Sequence, residues 1–168
     1  MSLKLWPDLE KTFVAPIGRL IRFALPLIKM RSRLKGLSLG ARGLVFDDRG
    51  RVLLVRHTYI PEWHLPGGAV EPGETAAEAF TREVAEEGGV RLLGPPKFLG
   101  LFHNPEWTVG DHVAFFEAGR WAPCPNRWGM EIEAAEFFDL ENLPADTTSS
   151  VRQRIAERTG KLLASPTW

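Results

Sequence analysis

The stretch Gly67–Val90, GGAVEPGETAAEAFTREVAEEGGV, decides how the rest of the chain reads. Thr75 and Glu78 stand three residues apart just before an apolar run of helical period. That is the pattern of a capping box, so a helix begins at Ala76. Gly88 and Gly89 end it after Glu87. At about 100° per residue, Glu83, Glu86 and Glu87 fall within roughly a 100° arc. Phe80, Val84 and Ala77 occupy a neighbouring arc and are expected to face a core. Ala76 and Ala79 lie above the acids on the acidic side, where small residues are expected to leave room for something beside the helix.

Local energetics run against this arrangement. Like charges three and four apart destabilise a helix by roughly 0.2–0.5 kcal/mol per pair. The acids also crowd the C-terminal end, where the macrodipole disfavours negative charge, and no lysine shares their face. A bound cation would repair the conflict, and hard divalent ions such as Mg²⁺ or Mn²⁺ favour oxygen ligands of this type. The bland alternative is a solvated acidic face. The preceding loop argues against it, because Gly67, Gly68 and Gly73 permit close backbone approach beside the acids.

The spacing carries a resemblance. Gly68, five residues, Glu74, seven residues, Arg82-Glu83-Val84, one residue, Glu86-Glu87, one residue and Gly89-Val90 resembles the Nudix box at every defined position. The resemblance extends over about Gly40 to Leu143 and implies a Nudix-type α/β/α sandwich around a mixed β-sheet. It implies hydrolysis of a nucleoside diphosphate linked to another moiety, with Mg²⁺ or Mn²⁺. By analogy, Glu83, Glu86 and Glu87 would be metal ligands, with the Gly68 carbonyl helping. Glu74 would assist at the edge of the site, and Arg82 would orient a neighbouring glutamate. Glu86 and Glu87 would thus be central to catalysis.

The residue types suit that chemistry. An acidic site holds a pyrophosphate only through cations, which also lower the pKa of a bound water. A glutamate not fully occupied with metal would take the water's proton, and the resemblance implies that this base lies outside the box, on a later loop or strand. Glu131 is the first candidate, Glu133 the second, with Asp111 and Glu117 as further options.

Trp63, His64, His103, Asn104 and Trp107 flank the presumed cleft and are candidate substrate contacts. Aromatics there would stack on a base, and His103 would bind phosphate or move a proton. Each has an ordinary alternative in packing or a loop hydrogen bond. Pro105 lies 15 residues past the box, resembling the placement of a proline in ADP-ribose-cleaving members. ADP-ribose-like compounds are therefore the first substrate choice, with nucleoside triphosphates and dinucleoside polyphosphates as others. The rival reading is a non-catalytic Nudix-like module that binds a nucleotide or a partner. Such modules usually have eroded boxes, whereas this one is intact.

Elsewhere the chain reads as strands at Ala41–Phe46, Arg51–Val55, Phe98–Phe102, His112–Glu117 and Glu136–Leu140, with a short extended Trp63–Leu65. Gly67–Gly73 reads as a loop. Thr147–Ser150 offers N-caps for a last helix running to about Leu163. The order makes the class α/β or α+β with a mixed sheet; the resemblance selects α/β.

The 168 residues carry no net charge, but residues 1–36 hold eight Lys/Arg against two acids, a net of +6, so the remainder carries −6. The expected division is a basic, partly amphipathic extension, 1–36, and a domain, 37–168. Within the extension, Pro16–Lys35 keeps helical apolar spacing interrupted by Pro26. It is expected to pack on its own domain or a second subunit, or to touch an anionic membrane surface. No specific nucleic-acid partner is expected, for want of a binding motif. The one cysteine, Cys124, excludes an internal disulfide. A reducing, cytoplasmic setting is the default expectation, and no run is long enough for a bilayer span.

Overall fold

The computed structural model describes residues 36–125 and 131–168. The basic extension, with its expected amphipathic helix and its membrane or dimer contacts, lies outside the described residues. Strand β1 (Ser38–Leu44) leads through an Asp47-anchored turn into β2 (Val52–His57), β3 (Ile60–His64) and β4 (Gly67–Ala69). Helix α1 (Ala76–Gly88) follows, then β5 (Val90–Leu92), β6 (Lys97–His103), β7 (Asp111–Glu117), β8 (Trp121–Pro123), β9 (Ile132–Phe138) and α2 (Ser149–Arg158).

The strands form three ladders, β4-β1-β7-β6, β3-β2-β9 and β5-β8. The first is mixed, because β1 runs parallel to β7 and antiparallel to β4. Strand periodicity then places the core on both faces. Leu53 and Val55 of β2 pack under α1 with Phe80, Val84, Phe116 and Phe137. Val52 and Leu54 face the other way, toward Val151 and Ile155 of α2. A strand covered on both sides reads as a continuous apolar run, which is why VLLV shows no alternation. The expected α/β/α layering is therefore present.

The box helix begins and ends as its sequence predicts. Thr75 Oγ1 accepts the Glu78 amide at 3.2 Å, and Glu78 Oε2 accepts the Thr75 amide at 2.8 Å. Gly89 closes the helix in the left-handed region, with φ 63°, donating to the Val84 carbonyl. One facing was misjudged. Ala79 is fully buried in the α1 core rather than open beside the acids.

Other differences have local causes. The residues of β4, expected as loop, pair with Gly40–Arg42 of β1, Gly68 opposite Ala41 and Gly67 opposite Arg42. Strands β5 and β8 are three residues each, too short for a periodic signal, and pair with one another. Pro61 is tolerated in β3 because that strand is an edge. Helix α2 stops at Arg158, short of Leu163, where Thr159 Oγ1 bonds back to the Ile155 carbonyl at 2.9 Å and Gly160 turns left-handed.

Phe80 ties α1 to the sheet. Its ring stacks on Phe116 with centroids 5.5 Å apart. A Cβ on Gly43 would lie 2.7 Å from that ring, so β1 needs glycine there. Phe80→Ala is expected to cost about 3–5 kcal/mol, read as a lower urea midpoint with unchanged slope.

Candidate active site

Helix α1 meets β4 where two successive glycines remove the side-chain barrier. A Cβ on Gly68 would collide with the Glu83 carboxylate. The Gly67 amide donates to Glu87 Oε2 at 2.9 Å. The two innermost acids therefore lie against backbone.

Arg82 gathers the rest. Its Nη1 donates to Glu83 Oε1 at 2.8 Å and to Glu86 Oε2 at 3.4 Å. Its Nε and Nη2 grip both oxygens of Glu74 at 3.2 and 2.8 Å, and Nη2 also reaches the Ala69 carbonyl at 3.2 Å. The relief that no lysine provides thus comes from the arginine inside the motif. Arg82 thus bonds Glu83 and Glu86, and Glu74 is drawn in beside them. Glu86 is the open end of the acidic face, with 41% of its side chain exposed. It borders a cavity of 290 Å³ shared with Arg82, Ala85, Arg91 and Cys124.

The inner end is electrostatically costly. Glu87 is 8% exposed, and burial pushes its carboxyl up to about 8. The Gly67 amide and Arg42 oppose that rise, while Glu83 and Glu131 add to it. Burial also raises the Glu83 carboxyl, against the pull of Arg82. Hydrogen bonds from Arg82 hold Glu74 below the usual carboxylate range. His57 Nε2 approaches Glu87 Oε1 at 3.7 Å. Burial, with Arg42 and His64 adding, pushes His57 down to about 3, so this contact is no ion pair at neutral pH. His64 is likewise held down to about 4, by burial first and Arg42 second. Tyr59 is pushed up to about 12 by burial and by Glu131 and Glu87.

Of the acids outside the box, Glu131 is the one whose charge acts on Glu87. It is exposed, and its carbonyl accepts the Thr58 amide at 2.8 Å. The other candidates are engaged elsewhere. Glu133 pairs with Arg56 at 3.3 Å, and Glu117 pairs with Arg158. Asp111 is buried and accepts from Ser38 and Asn104.

The expected substrate contacts divide. His64 belongs to the cluster around Glu87, its ring 5.9 Å from that of His57. Trp63 does not. It is 5% exposed, packed edge-on to Phe138 at 4.8 Å and covered by the Arg56 guanidinium, which leaves no face for a stacked base. Its strand neighbour His64 points to the opposite side because side chains alternate. His103 ends β6, and Asn104 and Trp107 lie in the β6–β7 turn. His103 Nε2 lies 2.9 Å from the Val109 carbonyl, and Asn104 donates to Asp111 at 2.8 Å. These contacts order the turn itself.

Arg42, His57 and Tyr59 were not singled out in the sequence. The signal available was an Arg-His pair closing the apolar run of β2, followed by the one tyrosine.

The donor set of Glu83, Glu86, Glu87 and the Gly68 carbonyl is all oxygen, which suits a hard divalent cation. Among the described residues, no three His, Cys, Asp or Glu side chains stand as a ready-made cage. Their oxygens are instead turned onto Arg82 and the Gly67 amide, the nearest available donors. Among the described residues, no helix is long and apolar enough to cross a membrane.

A family model described as the NUDIX domain matches residues 36–159. The 8-oxo-dGTP diphosphatase of Escherichia coli (strain K12) is 30% identical over 113 residues, 63% of this chain and 83% of that protein. An ADP-ribose pyrophosphatase of Methanocaldococcus jannaschii is 32% identical over 109 residues, 60% of this chain and 61% of that one. A Bacillus subtilis relative matches at 38% over 76 residues, only 50% of its own length. A crystal structure of a MutT NUDIX hydrolase from Burkholderia pseudomallei superposes with TM-score 0.60 at 25% identity, covering 70% of this chain and 95% of that one. A NUDIX hydrolase from Nitrosomonas europaea shares the fold at TM-score 0.62 and 23% identity, over 74% and 90%. With the box, the layering and these likenesses in agreement, the chain belongs to the NUDIX domain family.

Proposed function

We propose that this chain is a pyrophosphohydrolase that cleaves the diphosphate linkage of a nucleoside diphosphate derivative with Mg²⁺ or Mn²⁺. The observation that carries the reading is the crowding of Glu83, Glu86 and Glu87 around Gly67 and Gly68, with Glu87 buried. Glu83, Glu86, Glu87 and the Gly68 carbonyl would hold the cation. When bound, the cation neutralises phosphate charge and lowers the pKa of a water nucleophile. Arg82, tied at its other edge to Glu74, aims the carboxylates. Glu131, close enough to raise Glu87, is the base we assign to the water's proton. Residues 1–36 stand ahead of this domain as a separate extension.

ADP-ribose-like derivatives stay the first substrate class, in line with the name of the archaeal relative. Nucleoside triphosphates are the second, favoured by the fuller coverage of the E. coli relative. His64, at the inner end of the acidic face, and the His103–Trp107 turn are the surfaces we assign to the nucleoside.

Phosphate or nucleotide release from a panel of nucleotide sugars, dinucleotides and triphosphates tests this. Turnover is expected with Mg²⁺ or Mn²⁺. It should fall by roughly 10²-fold or more in Glu86→Gln, Glu87→Gln and Glu131→Gln, with the fold intact. Metal-dependent binding without turnover anywhere in the panel would select the non-catalytic module.

Glu87 also gives a stability signature. Its folded carboxyl titrates near 8, above the 4.5 of an ordinary glutamate, so between those values the folded state keeps a proton that the unfolded chain has lost. Stability of the metal-free protein therefore falls as pH rises through that window. In EDTA, Glu87→Gln should melt above wild type, by a margin that widens from pH 5 to pH 8. Excess Mn²⁺ should raise the wild-type Tm more than the variant's and close the gap.

A further inference from the structure

Among the described residues, Arg42 is the arginine whose charge acts on Glu83, Glu87, His57 and His64 alike. It lies on β1, paired with Gly67 of β4. Its side chain runs directly over that glycine. A Cβ on Gly67 would lie 2.7 Å from Arg42 Cα and 2.8 Å from Arg42 Cγ. Gly67 also adopts φ 142°, so glycine is required there by space and by conformation. The guanidinium ends at the Leu65 carbonyl, to which Nη1 donates at 3.0 Å. Gly67 thus lets Arg42 pass while its own amide holds Glu87.

Arg42 lowers the Glu83 and Glu87 carboxyls against their burial, and it helps to keep His57 and His64 neutral. It nonetheless has no ion-pair partner among the described residues, its hydrogen bond being to a backbone carbonyl. Other arginines around the site are paired. Arg82 is shared among Glu74, Glu83 and Glu86, and Arg56 is held by Glu133. Arg42 is half-buried. One N–H of its fork is spent on Leu65, beside the Gly67 whose amide holds Glu87.

We propose that Arg42 is a substrate-binding residue that grips a diphosphate oxygen facing away from the carboxylates. The inference rests on the pyrophosphohydrolase reading and adds a protein-borne cation to it. An arginine suits the task because its planar fork matches two phosphate oxygens at once, which a lysine cannot do. A cation placed for phosphate should disfavour a divalent ion bound alone, because both compete for the same carboxylate field. It should favour the same ion once a diphosphate arrives with it.

That opposition gives the test. Calorimetry on the full chain measures Mn²⁺ alone, then α,β-methylene-ADP in saturating Mn²⁺. Arg42→Gln should bind Mn²⁺ as tightly as wild type or more so, yet bind the nucleotide about 10- to 100-fold more weakly. Arg42→Lys keeps the charge and loses the fork, so it should fall between the two. It also serves if the glutamine variant does not fold. Unchanged nucleotide affinity in either folded variant overturns the role of Arg42. So does a matched loss of Mn²⁺ and nucleotide affinity, which would make Arg42 a prop for Leu65. Wild-type protein that binds Mn²⁺ but neither binds the nucleotide nor hydrolyses any diphosphate overturns the underlying reading itself, and Arg42's role with it.

Discussion

The close approach of α1 to the Gly67-Gly68 backbone is the constraint on which the rest depends. Carboxylates near a helix C-terminus normally extend into water. Here the absence of two Cβ atoms lets Glu83 and Glu87 settle against β4. The helix is held at that distance from below by Phe80 and Val84 in the core. It is held from the side by Arg82, which reaches the Ala69 carbonyl on the same strand. Packing and electrostatics therefore set one spacing between them.

The result is a steep gradient of environment along a single helical face. Glu86 stands at the solvent edge beside an open cavity. Glu83 lies partly covered beneath Arg82, and Glu87 is enclosed next to two neutral imidazoles. Three chemically identical side chains thus meet three different dielectric settings within one helical turn.

The box helix was legible because its determinants are local. The Thr75–Glu78 cap and Gly89 sit within one turn of the ends they set. What the helix packs against was less so. A helical wheel gives the order of residues around the axis but not the edge of the buried sector, and Ala79 fell on the wrong side of that edge. Strand β4 was hidden because glycines that admit a carboxylate look like glycines that make a loop. Trp63 was misassigned because strand alternation sends it to the core opposite His64. Arg42, His57 and Tyr59 come from two separate strands and a turn, and they meet only when β1, β2 and β3 assemble around α1. No window along the chain contains that meeting.

Arg82 makes the acidic face self-neutralising, and this changes what it means for a cation to arrive. Glu83 and Glu86 are already engaged by a tethered counter-ion on their own helix. On the proposed reading, metal uptake is a swap of one positive group for another. Its measured strength is the margin between two attractions, so singly charged ions gain little by displacing the guanidinium. Valence selectivity would then arise from a resident competitor rather than from the radius of a rigid cage.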